Sequence, residues 1–189
     1  MCEKHDDKCS LWIEAGQMSD LEEITKLYDT ACDYLESSTN YPGWKKHIYP
    51  TKEDARKGIE EESLFVVRCN GRISGSMILN HEPEHGYDQC TWHTPDQYEQ
   101  IYVVRTLVVH PDDRNKGIGR ILMEFAKEEA KLQGMHSIRL DVYKENTPAI
   151  RLYESCGYRY VDTVDLGYSQ YGLDLFELYE LPIKDAVDY

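Results

Sequence analysis

The chain has 189 residues, of which 41% are apolar and 11% aromatic, with 15 tyrosines. That composition supports one folded domain, or at most two small ones, and excludes wholesale disorder; no apolar run is long enough for a membrane-spanning helix. A formal net charge of −14 repels duplex nucleic acid and anionic lipid and attracts a cationic small molecule.

The opening MCEKHDDKCS has no apolar core behind its charges. It reads as a solvated tail rather than a signal peptide, and the cytoplasm is the expected location. LWIEA, Leu11 to Ala15, predicts a short first strand. Ser19 to Glu22 has the pattern of a capping box, and Leu21, Ile24, Leu27, Tyr28, Ala31 and Leu35 follow with helical spacing. SSTNYPGWKKHIYP, Ser37 to Pro50, is expected to be loop or broken helix. Thr51 and Asp54 make a second capping box that opens a short helix to about Glu62.

LFVVRC, Asn70-Gly71 and RISGSMILN form a hairpin signal, because Asn-Gly accepts the positive φ angles of a type I′ turn. His81 to Gln100 is a long polar connection. Ile101 to Val109 is nearly all apolar and predicts a central strand. A helix is expected over Gly117 to Gln133, with Ile118, Ile121, Leu122, Phe125, Ala126, Glu129 and Leu132 on one face and Gly134 as its stop. Ser137 to Tyr143 is the next strand; Asn146 and Pro148 open a helix that Gly157 ends. Tyr158 to Val164 and Leu173 to Leu181 are the closing strands. Cys2, Cys9, Cys32, Cys69, Cys90 and Cys156 are scattered without C-x-x-C, so reduced thiols are expected.

The stretch RNKGIGR, Arg114 to Arg120, is a basic island at a strand-to-helix seam. A helix start has unpaired amides and partial positive charge, both of which stabilise an anion. Glycine allows close backbone approach, and Arg114, Lys116 and Arg120 add charge. The stretch therefore reads either as a phosphate cradle on the amides around Asn115 to Arg120 or as an ordinary polar strand-to-helix turn. It is neither a P-loop nor a dinucleotide fingerprint.

LVVHPDDRNKGIGRILM and LDVYKENTPAIRLYESCGY, taken together, resemble the two cofactor motifs of the GCN5-related N-acetyltransferase (GNAT) superfamily. The likeness implies one α/β domain at 11–182, flanked by tails at 1–10 and 183–189. Its sheet would be mixed and largely antiparallel, twisted and split near the central strands, with helices on both faces: the acyl-CoA N-acyltransferase fold. It also implies direct acetyl transfer from acetyl-CoA to a primary amine, with no acyl-enzyme and no metal. Leu107, Val108 and Val109 then match the strand that pairs with the pantetheine arm. A bulge there would aim an amide near Val108 or Val109 at the thioester carbonyl. Arg114, Asn115, Lys116, Gly117, Ile118, Gly119 and Arg120 match the pyrophosphate cradle.

Asn146 and Ala149 match further cofactor-binding positions, although Asn146 also suits plain helix capping. Tyr153 matches the tyrosine beside the coenzyme sulfur, where a phenol can protonate the leaving thiolate; it also suits a buried helix position. For the general base the likeness implies a carboxylate or an ordered water chain; Glu99 and Asp141 are the candidate carboxylates, each also suited to a structural or solvated role, with His110, Glu82 and Glu84 behind them. Tyr41, Trp44, Tyr49, Tyr87 and Trp92 either pack their loops or wall the acceptor site. His81, His85, Cys90 and His93 are zinc-capable types at a spacing that matches no standard pair of chelating knuckles, so no metal is expected. The acceptor is expected to be a small cationic amine, and a homodimer through the closing strands is compatible with the family. The alternative is a non-catalytic acyl-CoA-binding sensor.

Overall fold

The computed structural model describes residues 10–183. The expected tails at 1–10 and 183–189 fall outside it apart from Ser10 and Ile183, and so do Cys2 and Cys9. Seven strands form one sheet in the order β1-β2-β3-β4-β5-β7-β6. They are β1 (Leu11–Ala15), β2 (Leu64–Cys69), β3 (Arg72–Asn80), β4 (Ile101–Val109), β5 (Ser137–Tyr143), β6 (Arg159–Val164) and β7 (Phe176–Pro182). The helices are α1 (Leu21–Glu36), α2 (Lys52–Glu60), α3 (Ile118–Leu132) and α4 (Thr147–Ser155). All neighbouring strands run antiparallel except β4 and β5.

Side-chain alternation explains why helices cover both faces. Met77 and Leu79 of β3 pack with Leu122 and Ala126 of α3, and Ile78 packs with Ile24 and Leu27 of α1, a face that Ile73 joins through the register shift at Val67/Arg68. Successive strand residues point to opposite faces, so an apolar β3 needs cover on each side. The buried face of α3 comprises Ile118, Leu122, Met123, Ala126 and Ala130. Leu132, expected on that face, is 78% exposed, because the buried stripe is centred on Leu122 and Ala126 and leaves it beyond the margin.

The hairpin turn forms as read: Asn70 and Gly71 take φ 52° and 83°. The box at Thr51 also forms, with the Asp54 amide donating to Thr51 Oγ1 and the Thr51 amide to the Asp54 carboxylate. The box expected at Ser19 does not. The Gln17 amide instead donates to Asp20 Oδ2 at 3.1 Å, and a 3₁₀ turn over Met18–Asp20 leads into α1. The thiols need one correction as well: Cys32, Cys90 and Cys156 are free, but Cys69 is disulfide-bonded. No helix among the described residues is long and apolar enough to cross a membrane.

The connection 81–100 is pinned down by more than turn chemistry. Arg139 and Glu180 face each other across β5 and β7, both fully buried, with Nε to Oε1 at 3.1 Å. Glu180 also accepts from Ser137 Oγ and from the amides of His93 and Thr94. The Arg139 guanidinium donates to the Thr94 carbonyl and lies 4.3 Å from the Trp92 ring centroid. Replacing Glu180 with Gln strands a buried guanidinium, so Glu180→Gln should lower the unfolding free energy by about 3 kcal/mol. Urea denaturation measures this, and a loss below about 1 kcal/mol would mean the ion pair behaves as a surface pair.

Candidate functional site

Only Ile101–Val103 of β4 pair with β5, opposite Ser137–Arg139. Beyond them the two parallel strands part. A cleft of about 830 Å³ opens there, lined by Val104 to Val109 on one side and Asp141 to Tyr143 on the other. Ligand sites form in this way at the carboxyl ends of diverging strands.

A bulge helps to drive the parting. Ser76 of β3 pairs with Val108 but Ile78 pairs with Arg105, so Thr106 and Leu107 together oppose one residue. Thr106 adopts φ 50°, in the left-handed region. The extra residue reverses the alternation. Val104 packs in the core beside α3, whereas Val108, four residues on and of the same parity, packs in the core beside α1.

The seam between β4 and α3 forms one end of the cleft. Asn115 and Gly117 take φ 62° and 81°, and α3 begins at Ile118 with no side chain capping its first amides. A Cβ on Gly117 would meet nothing within 4 Å, so glycine serves the backbone there and leaves open space before the helix. Gly119 serves packing: a Cβ would lie 3.0 Å from Leu152 of α4. The three cations are tethered. Lys116 donates to Asp113 at 2.9 Å, Arg120 donates to Ser155 Oγ at 2.7 Å, and Arg114 stacks on Tyr34 with 4.8 Å to the ring centroid. Burial raises the pKa of the Asp113 carboxyl, but hydrogen bonds from Lys116 and Arg72 outweigh it and hold the group below the usual range. Free amides, a helix start and two guanidinium groups on the lining make this end fit a diphosphate.

The other end is aromatic and acidic. Asp141 Oδ1 accepts from the Tyr87 hydroxyl at 2.7 Å, and burial keeps its pKa above the ordinary value. Tyr153, on α4, is buried beside the cleft, and burial, aided by the Asp141 charge, pushes its phenol well up. Glu84 pairs with Arg105 and accepts from the Tyr168 hydroxyl at 3.0 Å. Tyr41, Trp44 and Tyr49 also line the cleft. Such a surface suits a cation with an apolar body.

The cleft gathers Leu107, Val108, Val109, Arg114, Asn115, Gly117, Ile118, Gly119, Arg120, Asp141, Asn146, Ala149 and Tyr153. Lys116 does not line it and instead anchors the turn. Glu99 is exposed in the 3₁₀ turn Tyr98–Gln100, at the start of β4 and away from the cleft. His110 bonds within its own turn, accepting from the Asp112 amide, and Glu82 pairs with Lys57. Asn146 precedes α4 without a side-chain capping bond and faces the cleft. Tyr87 and Trp92 pack on each other at 5.1 Å outside the cleft lining. His81 bonds backbone carbonyls, as does His93, and no group of three or more metal-ligating side chains occurs among the described residues. Sequence reasoning passed over Tyr34, Arg105, Thr106 and the loop residues Tyr168 and Tyr171. The aromatic run YSQYGL offered a signal for the last two; a threonine inside a strand offers none.

The chain matches the sequence pattern of a family described as acetyltransferase (GNAT) family over residues 24–158. It is 30% identical over 156 residues to an acetyltransferase of Pectobacterium atrosepticum, covering 82% of this chain and 92% of that one. It is 28% identical over 151 residues to an uncharacterized N-acetyltransferase of Methanocaldococcus jannaschii. That match covers 77% of this chain but only 59% of the relative's length. A Salmonella typhimurium structure containing its cofactor acetyl-CoA superposes with a TM-score of 0.66 at 19% identity, covering 94% of this chain and 96% of that one, which shows a shared fold.

The titration of Asp141 is open to test. Its folded pKa lies above the unfolded value of about 3.9, so the protonated form favours the fold. That contribution is fully present below the unfolded value and is lost as pH rises through the folded one. Asp141→Asn keeps an oxygen acceptor for Tyr87 and should show a shallower decline of unfolding free energy across that window. Parallel curves for variant and wild type in pH-dependent urea denaturation would contradict this.

Proposed function

The chain belongs to the acetyltransferase (GNAT) family, an acetyl-CoA-dependent class of enzyme, and from that premise we propose that its cleft carries acetyl groups to the primary amine of a small, cationic acceptor. The observation that carries this reading is the continuity of one cleft from the seam at Gly117 to the carboxyl of Asp141. Acetyl-CoA supplies the activated thioester when bound; the remaining work falls to the chain.

Amides of Asn115 and of Gly117 to Arg120, with the Arg114 and Arg120 side chains, hold the diphosphate, while the Lys116 amide is spent on the Asp113 carbonyl. The edge of β4 at Leu107 to Val109, left without a strand partner by the parting of β5, pairs with the pantetheine arm. An amide at Val108 or Val109 donates to the thioester oxygen. Asn146 and Ala149 border the arm from α4. Asp141 takes a proton from the incoming ammonium, and its raised pKa brings it closer to a working base than an exposed aspartate. Tyr153 stays protonated because its pKa is raised, and it donates a hydrogen bond to the sulfur as charge develops there. Cys156 takes no part: it is buried, and burial raises its thiol pKa. Glu84 and Asp141, among aromatic walls and within a chain of net charge −14, favour a cationic acceptor.

A thiol-release screen with acetyl-CoA over polyamines, amino sugars and amino acids, read by mass spectrometry of the products, tests the reading. Turnover of at least one amine is expected; binding of acetyl-CoA without turnover of any would refute it. With the amine so found, Tyr153→Phe should lower kcat about a hundredfold and leave acetyl-CoA affinity unchanged. Gly117→Ala places a Cβ at φ 81° and should raise the Kd for acetyl-CoA about tenfold, since forcing the left-handed region on alanine costs roughly 1–2 kcal/mol. Isothermal calorimetry measures both affinities.

A further inference from the structure

Thr106 sits where a bulge ordinarily takes glycine. Its φ of 50° crowds the Cβ of a β-branched residue, an arrangement that persists only where the surroundings enforce it. The side chain is buried, and its hydroxyl shares a 2.6 Å hydrogen bond with the Tyr49 hydroxyl. Tyr49 closes the segment after α1. Its ring meets Trp44 edge to face at 5.9 Å, and both rings line the cleft. One tyrosine thus touches the wall of the cleft and the strained residue of the strand opposite.

We infer that Tyr49 is a positioning residue for acetyl transfer, holding the β4 bulge through Thr106 in the shape that turns a backbone amide toward the thioester. This rests on the reading above, in which an amide at Val108 or Val109 serves that oxygen. The bulge reverses the facing of every residue after Leu107. Anything that relaxes Thr106 therefore rotates the amides that follow it. The Tyr49 hydroxyl is committed to Thr106, and burial keeps its phenol protonated. That leaves it an anchor rather than an acid or base.

The test needs no acceptor. The carbonyl of [1-13C]acetyl-CoA is followed by infrared difference spectroscopy on the folded protein, with affinity measured alongside by calorimetry. In the wild type, the bound thioester carbonyl should absorb at lower frequency than in solution. Tyr49→Phe should bring the frequency back toward the solution value with Kd unchanged. The double variant Tyr49→Phe/Thr106→Gly should restore the wild-type frequency, because glycine holds a positive φ without a tether. With an amine substrate, Tyr49→Phe should lower kcat about tenfold, less than the 10²–10³ lost when an oxyanion donor is removed outright.

A wild-type frequency in Tyr49→Phe overturns the inference. So does failure of the double variant to restore the shift at unchanged Kd, since loss of a mere wall contact would not be rescued from the opposite strand. Two other outcomes strike the underlying reading instead. Absence of acetyl-CoA binding to the wild type removes the cofactor assignment, and binding without any frequency change removes the amide's role; either takes the inference with it.

Discussion

One extra residue in a strand governs the cleft. A regular β4 would keep Val104 and Val108 on one face of the sheet; with Thr106 and Leu107 opposing a single residue of β3, they reach cores on opposite faces. The same strand pairs with β5 over only three residues, Ile101 to Val103. Pairing lost past that point leaves backbone groups of β4 facing the gap, and such groups need partners. The cleft is thus a defect in hydrogen bonding kept open by packing: α1 and α3 cover opposite faces of the strands and hold the sheet together around it.

Electrostatics then divides the cleft into two ends. The seam at Arg114 to Arg120 is basic within an acidic chain. Its cations are exposed, yet each is tethered, to Tyr34, Asp113 and Ser155. Ordering long side chains before a ligand arrives lowers the entropy lost on binding. The opposite end carries Asp141 and Glu84 among aromatic rings, and Glu84 is partly neutralised by Arg105. Gly119 and the bond from Arg120 to Ser155 join the two ends mechanically. Because α4 rests directly on the start of α3, Asn146 and Tyr153 are placed by the same contact that shapes the turn before α3.

How much of this was legible depended on the range of the interaction. The hairpin at Asn70-Gly71, the box at Thr51 and the strand Ile101–Val109 are fixed by neighbouring residues, and each formed within a residue or two of its reading. The turn at Arg114 to Arg120, with its open backbone at the start of α3, was legible because its glycines and cations are contiguous in sequence. Long-range partners were not. Ser19 and Glu22 matched a box, yet Asp20 formed the bond with Gln17. Glu180 and Arg139 lie 41 residues apart and meet only because β5 and β7 pair, so nothing local marks the connection 81–100 as pinned. Glu99 looked well placed by its nearness to β4 in sequence, but it stands in the turn before the strand's first residue while the cleft opens past Val103. Thr106 is the sharpest case: threonine favours extended strands, and its left-handed turn follows from packing on both faces.

The three-residue seam between β4 and β5 leaves the two halves of the sheet joined across their middle by little backbone. A molecule lying in the gap and bonding to the edge of β4 takes the position of an absent strand. Its binding free energy then adds to the cohesion of the whole sheet rather than to a local pocket. Resistance of this protein to heat therefore rises with the logarithm of the concentration of whatever fills that gap, and the sheet itself serves as a gauge of occupancy.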